Sequence, residues 1–168
     1  MTGASGLIPK DFRIMLPVQL IHPVIVHFPI VFMITLAAFD LVATLRGAAV
    51  TGKTASGNAS AGLALLAGLS AITAFHFGGV ALDFAEAGGF HNEIAEIHES
   101  LGEFTAAAFA IWAAVRALLW LRDFRPAGLL AMAIPVIEIA GAALVIATAY
   151  FGGQLVYDLG VNVGGLAG

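Results

Sequence analysis

The chain has 168 residues; 60% are apolar, only 11% are charged, and the formal net charge is -4. An average soluble domain is about 25% charged, so this sequence lacks the polar side chains that a water-facing surface needs, and lipid contact is the simplest alternative. There is no cysteine, which excludes disulfides, thiolate metal sites, iron–sulfur clusters and cysteine-linked haem. No basic patch with interleaved aromatics points to nucleic acid.

The length fits a single domain, read here as one transmembrane unit over residues 1–168. A spanning helix needs about 20 mostly apolar residues, and four stretches qualify: about 21–45, 62–82, 104–121 and 129–151. They are continuously apolar rather than alternating, which argues against a β-barrel. The expected fold is therefore all-α: an integral membrane four-helix up-down bundle with the N- and C-termini on the outer side. Ala64, Gly68, Ala71, Gly141 and Ala142 are small enough to let helix backbones approach closely.

The connections differ in character. Residues 47–60 are rich in Gly, Ser and Thr and read as a polar loop. Residues 83–103 are acidic and read as an amphipathic connection that becomes helical from about His91. Residues 122–126 form a short turn, and the Gly-rich tail from Gly152 is read as folding back on the membrane surface. Arg46, Lys53, Arg116, Arg122 and Arg125 lie at or near one end of the bundle, against Lys10 and Arg13 at the other. By the positive-inside rule the first end faces the cytoplasm. The first apolar run is too long for a signal-peptide core and is expected to be retained.

All five histidines fall at the opposite, outward end. His22 and His27 open the first span, His76 lies near the outer end of the second, and His91 and His98 precede the third. An up-down-up-down path gathers them. Imidazole suits haem iron, copper and zinc and also carries protons. His27 lies roughly 7 Å into its span at helical rise, and an ionisable group at that depth is a functional candidate. Gly102, one turn after His98, leaves room for a flat ring. Set against this, His22 and His91 could sit at headgroup level, His27 and His76 could be hydrogen-bonded structural residues, and His98 could be exposed beside Glu96 and Glu99.

The segment His22-Pro23-Val24-Ile25-Val26-His27-Phe28-Pro29 resembles the HPxxVHFP signature of a family of functionally uncharacterised bacterial predicted membrane proteins with four spans. His98 with Leu101-Gly102, and the tail from Phe151 to Tyr157 with Gly160-Val161-Asn162-Val163 after it, resemble the same family. The resemblance covers nearly the whole chain and implies the four-span fold. His22, His27 and His98 fall on its motifs; His76 and His91 do not. Within the signature, Pro23 at the start of a helix costs no hydrogen bond, whereas Pro29 removes one and should bend the helix near His27.

Residues 47–54, Gly-Ala-Ala-Val-Thr-Gly-Lys-Thr, match the phosphate-binding pattern GxxxxGK[ST]. That motif works only between a strand and a helix. Here a spanning helix precedes it, and nucleotide binding is set aside. Asp40, Arg116 and Glu138 fall inside spans toward the cytoplasmic half. Unpaired charges there are costly, so the three are expected to form an intramembrane ion cluster, with a proton path or quinone site as the sharper alternative. Asp83, Glu86, Glu93, Glu96, Glu99 and Glu103 give the outer connection an acidic face able to attract a basic soluble partner such as a c-type cytochrome.

The sequence reading thus favours an electron-transfer protein of the bacterial inner membrane holding haem b, one or two, near the outer face. His27 and His98 are the expected axial pair, with His22, His76 and His91 in the surroundings or at a second haem. Alternatives are a copper, zinc or non-haem iron protein using the same histidines, and a structural or assembly subunit of a larger membrane redox complex. No nucleophile–base pair suggests an independent enzyme.

Overall fold

A computed structural model describes residues 20–161. It is built of helices α1 (Ile21–Ile25), α2 (His27–Leu45), α3 (Ala55–Ala87), α4 (Glu93–Leu121) and α5 (Leu129–Tyr157). Helices α1 and α2 are one span broken at Val26. Pro29 has no N–H to offer the carbonyl of Ile25, so the ladder lapses where the sequence predicts a bend. Four helical segments, Ile21–Leu45, Ala55–Ala87, Glu93–Leu121 and Leu129–Tyr157, are long and apolar enough to cross a membrane, with mean hydropathies of 2.1, 1.7, 1.7 and 2.4.

The helices form a closed ring in chain order. Helix α2 packs on α3, α3 on α4, α4 on α5 and α5 back on α2, while α2 and α4 face each other diagonally. The small residues do what their size suggests. Ala64, Ala67 and Ala71 are buried in the seam, and a Cβ added to Gly68 would lie only 2.7 Å from the Cβ of Ala113, so α3 and α4 touch nearly backbone to backbone. Met33, Leu36, Phe109 and Val145 fill the centre. Outward, Val31, Leu69, Ile111, Val136 and Ile146 are exposed. A soluble surface would not carry such a belt of aliphatic side chains, whereas lipid requires it.

Helix ends extend beyond the apolar cores. α3 begins at Ala55, where the Thr54 side chain accepts the N–H of Gly57, so residues 55–60 are helix rather than loop. α4 begins at Glu93 behind an Asn92 cap, close to the expected start. α5 continues through Gly152 to Tyr157 instead of folding back at the glycines. Both glycines stay helical, with Gly152 packed against the His98 side chain of α4.

Candidate functional site

At the end where α1, the close of α3, the start of α4 and the close of α5 meet, two imidazoles approach across the bundle. The rings of His22 and His98 have centroids 6.1 Å apart and planes at 71°. Each is held the same way. The Nδ1–H of His22 donates to the carbonyl of Ala74 on α3 at 2.9 Å, and a Cβ on Gly78, one turn further along α3, would fall 3.0 Å from the His22 ring. The Nδ1–H of His98 donates to the carbonyl of Thr148 on α5 at 3.0 Å, and a Cβ on Gly152, again one turn further, would fall 2.8 Å from the His98 ring. The device is thus repeated: a helix backbone carbonyl at position i accepts the ring N–H, and glycine at i+4 makes the space in which the ring lies.

A carbonyl can only accept. Both rings are therefore held with Nδ1 protonated, which leaves each Nε2 with its lone pair. This is the tautomer that binds a metal through Nε2, and an Nδ1–H bonded to a backbone carbonyl is the usual support of a ligating histidine. Thr148 is itself pinned: its hydroxyl donates to Leu144 and meets the hydroxyl of Thr105 at 2.8 Å.

Beside the two rings is a cavity of about 380 Å³, within the range of small-molecule sites. Pro29, Phe75, Gly102, Ala106 and Val145 are among the mainly apolar residues that line it. Gly102 leaves a gap as expected, since the nearest atom to an added Cβ would be a Phe75 carbon 3.8 Å away.

The other histidines are placed differently. His27 lines the cavity too, but its side chain is exposed and its Nδ1–H donates to Val24 in the preceding turn at 3.3 Å. His22, not His27, is the residue brought against His98. His76 is exposed and lies edge-on to Phe77; His91 is exposed in the connection before α4. Among the described residues, no group of three His, Cys, Asp or Glu side chains converges to hold a metal ion.

Toward the other end of the bundle lies the ion cluster. Arg116 Nη1 reaches Asp40 at 2.8 Å and Glu138 at 2.9 Å, with all three side chains at most 1% exposed. Its Nη2 donates to the carbonyl of Val50 at 2.7 Å and to Ser60. Ser60 Oγ lies 2.6 Å from both oxygens of Asp40, and the Trp112 indole N–H donates to Glu138 at 3.2 Å. The cluster ties together all four spans. Ser60, Trp112 and the Val50 carbonyl carry no charge, so a sequence search for ionisable residues inside spans passes over them.

The loops at this end are latched to each other. Asp123, in the left-handed region at φ 48°, accepts the backbone N–H of Lys53 at 2.7 Å and pairs with Arg125 at 2.9 Å. The Lys53 N–H and the guanidinium beside it hold the Asp123 carboxyl below the usual carboxylate range. In the 47–54 loop, the Lys53 N–H that a phosphate would need is thereby engaged. The Thr54 hydroxyl donates to Ala49, and helix α2 precedes the loop where a nucleotide site needs a strand.

The profile of a family described as predicted membrane proteins, DUF2231, matches residues 19–165. The chain belongs to that family. Among curated proteins and solved structures, nothing matches it. Family membership agrees with the four-span helical architecture and with lipid contact, and the family's description assigns no activity. The match includes both histidine helices, the ion cluster and the α5 glycines.

Proposed function

We propose that this DUF2231 protein is a membrane-bound electron-transfer protein that holds b-type haem between His22 and His98. One observation carries the reading: two imidazoles on facing helices, each fixed by an Nδ1–H···O=C bond over a glycine, stand 6.1 Å apart. For two imidazoles bound through Nε2 on opposite sides of one iron, metal–nitrogen bonds of about 2.0 Å, plus roughly 1.1 Å from each nitrogen to its ring centre, put the centroids about 6.2 Å apart. Two imidazoles are also all that such an iron asks of the protein, because the macrocycle supplies the other ligands. Zinc prefers four ligands drawn from side chains and water, and this pair alone would meet half of that. The spacing fits a bis-histidine site, and the ligand count favours haem over zinc.

Bound haem would supply a reversible one-electron couple. The chain's own contribution is to orient the rings and to line their surroundings with mainly apolar groups. His27, at the rim of the cavity, is assigned to the surroundings. The histidine end is read as facing outward across the bacterial inner membrane, where exposed Glu93, Glu96, Glu99 and Glu103 would attract a basic redox partner such as a c-type cytochrome. The test is a visible spectrum of protein purified from haem-supplemented cells. A Soret band with sharpened bands on dithionite reduction, lost in both His22→Ala and His98→Ala and kept in His76→Ala, is expected. A protein that stays colourless overturns the proposal, and elemental analysis of that sample then tests for copper or zinc.

A further inference from the structure

Independently of haem, the buried cluster raises a question of charge. One guanidinium faces two carboxylates, and the Arg116, Asp40 and Glu138 side chains are at most 1% exposed. The groups turned toward them are few. Helix α2 brings Asp40, α3 brings Ser60, α4 brings Arg116 and Trp112, α5 brings Glu138, and the 46–54 loop brings the Val50 carbonyl. Among the described residues, no second cation pairs with either acid. With both acids ionised, the cluster would carry a net negative charge inside a membrane span, where uncompensated charge is costly.

The hydrogen bonds of the two carboxyls are unequal. Asp40 is served on both oxygens by Ser60 and on one by Arg116. Glu138 receives Arg116 and Trp112 on the same oxygen, Oε1, while its Oε2 is buried with no partner. The two carboxyls also share a single donor, since Arg116 Nη1 lies 2.8 Å from Asp40 and 2.9 Å from Glu138, so two bare carboxylates would crowd one cation.

We propose that the cluster is a proton-binding site, with one proton held by the Asp40–Glu138 pair and carried on Glu138. The proton makes the cluster neutral and gives the unserved oxygen of Glu138 a role. Arg116 then pairs with Asp40 as an ion pair, and the neutral Glu138 accepts from Arg116 and Trp112. Glu138→Gln reproduces this arrangement: its carbonyl accepts the same bonds from Arg116 and Trp112, and its amide is neutral like the protonated acid.

Infrared spectroscopy of the purified full chain at neutral pH tests this. The other described acids are exposed, so a protonated carboxylic acid C=O stretch identifies the pair. The band is expected in the unmodified protein, shifting in D2O and on ¹³C labelling of glutamate carboxyls. It is expected to vanish in Glu138→Gln while the unfolding temperature stays within a few degrees of the parent. Absence of the band from the unmodified protein overturns the proposal, and that reading needs no variant to fold. A band that ignores glutamate labelling, or survives in Glu138→Gln, also overturns it. A lost band together with a collapsed unfolding temperature contradicts the neutral arrangement, because the amide should then have preserved the fold.

Discussion

Replacing Gly152 by alanine tests the cradle with a single methyl group. The added Cβ would lie 2.8 Å from His98 Cε1, 3.3 Å from Nε2 and 3.4 Å from Nδ1. Carbon atoms rest at about 3.5–4.0 Å, so the ring must retreat by roughly 0.7 Å or more from the methyl, or α5 must move away from α4. A retreat of that size takes the Nδ1–H bond to Thr148 from 3.0 Å to beyond hydrogen-bonding length. Losing such support for a ligating histidine typically costs about 10–100-fold in metal affinity. Titrating apo protein with haem in detergent, followed at the Soret band, reads this directly. Gly79→Ala is the matched control, because nothing lies within 4 Å of a Cβ there. Gly78→Ala, at 3.0 Å from His22, should fall between the two. Equal affinity in Gly152→Ala and Gly79→Ala would refute the claim that glycine makes room for the ring.

His27→Ala, unlike His22→Ala and His98→Ala, is expected to keep the haem spectrum, because the His27 side chain is exposed and bonded within its own span, to Val24; a spectrum lost equally in all three would return His27 to the ligand set. Arg116→Leu removes the cation of a buried cluster and should destabilise the bundle by about 3–5 kcal/mol, read by thermal unfolding in detergent; an unchanged midpoint would mean that the cluster does not hold the spans together. Asp123 sits below the ordinary carboxylate value because of Lys53 and Arg125, so its contribution to stability is full above about pH 4, its unfolded value, and fades as pH falls through its lower folded value. The difference in unfolding temperature between the parent and Asp123→Asn should therefore be present at pH 6 and shrink on acidification; a difference independent of pH would remove Asp123 as the latch.

The four spans were legible in the sequence because lipid imposes a length and a polarity that few other environments demand, and the family match confirms the class of protein. The close approach at Gly68 followed from side-chain size alone. The helix ends were harder to read. Residues 55–60 look like a loop by composition, yet the Thr54 cap and the packing of α3 on its neighbours make them helical. Gly152 and Gly153 look like a helix end, but Gly152 serves as a seat for an imidazole. Topology predicted that histidines would gather at one end. Which of them turn inward depends on rotation about the helix axis, and His22 and His27, five residues apart, point about 140° apart around a regular helix. A signal for the pair that meets across the bundle was present in Ala74-xxx-Gly78 and Thr148-xxx-Gly152, but a backbone carbonyl that receives an imidazole N–H leaves no mark on its own residue type.

The most direct test of the central claim is the electron paramagnetic resonance spectrum of the oxidised, haem-loaded protein. Ring planes at 71° predict the strongly anisotropic low-spin signal of iron held by two nearly perpendicular imidazoles, lost when either His22 or His98 is removed. A high-spin signal, or a low-spin signal that outlasts the loss of both residues, would contradict a haem held between them.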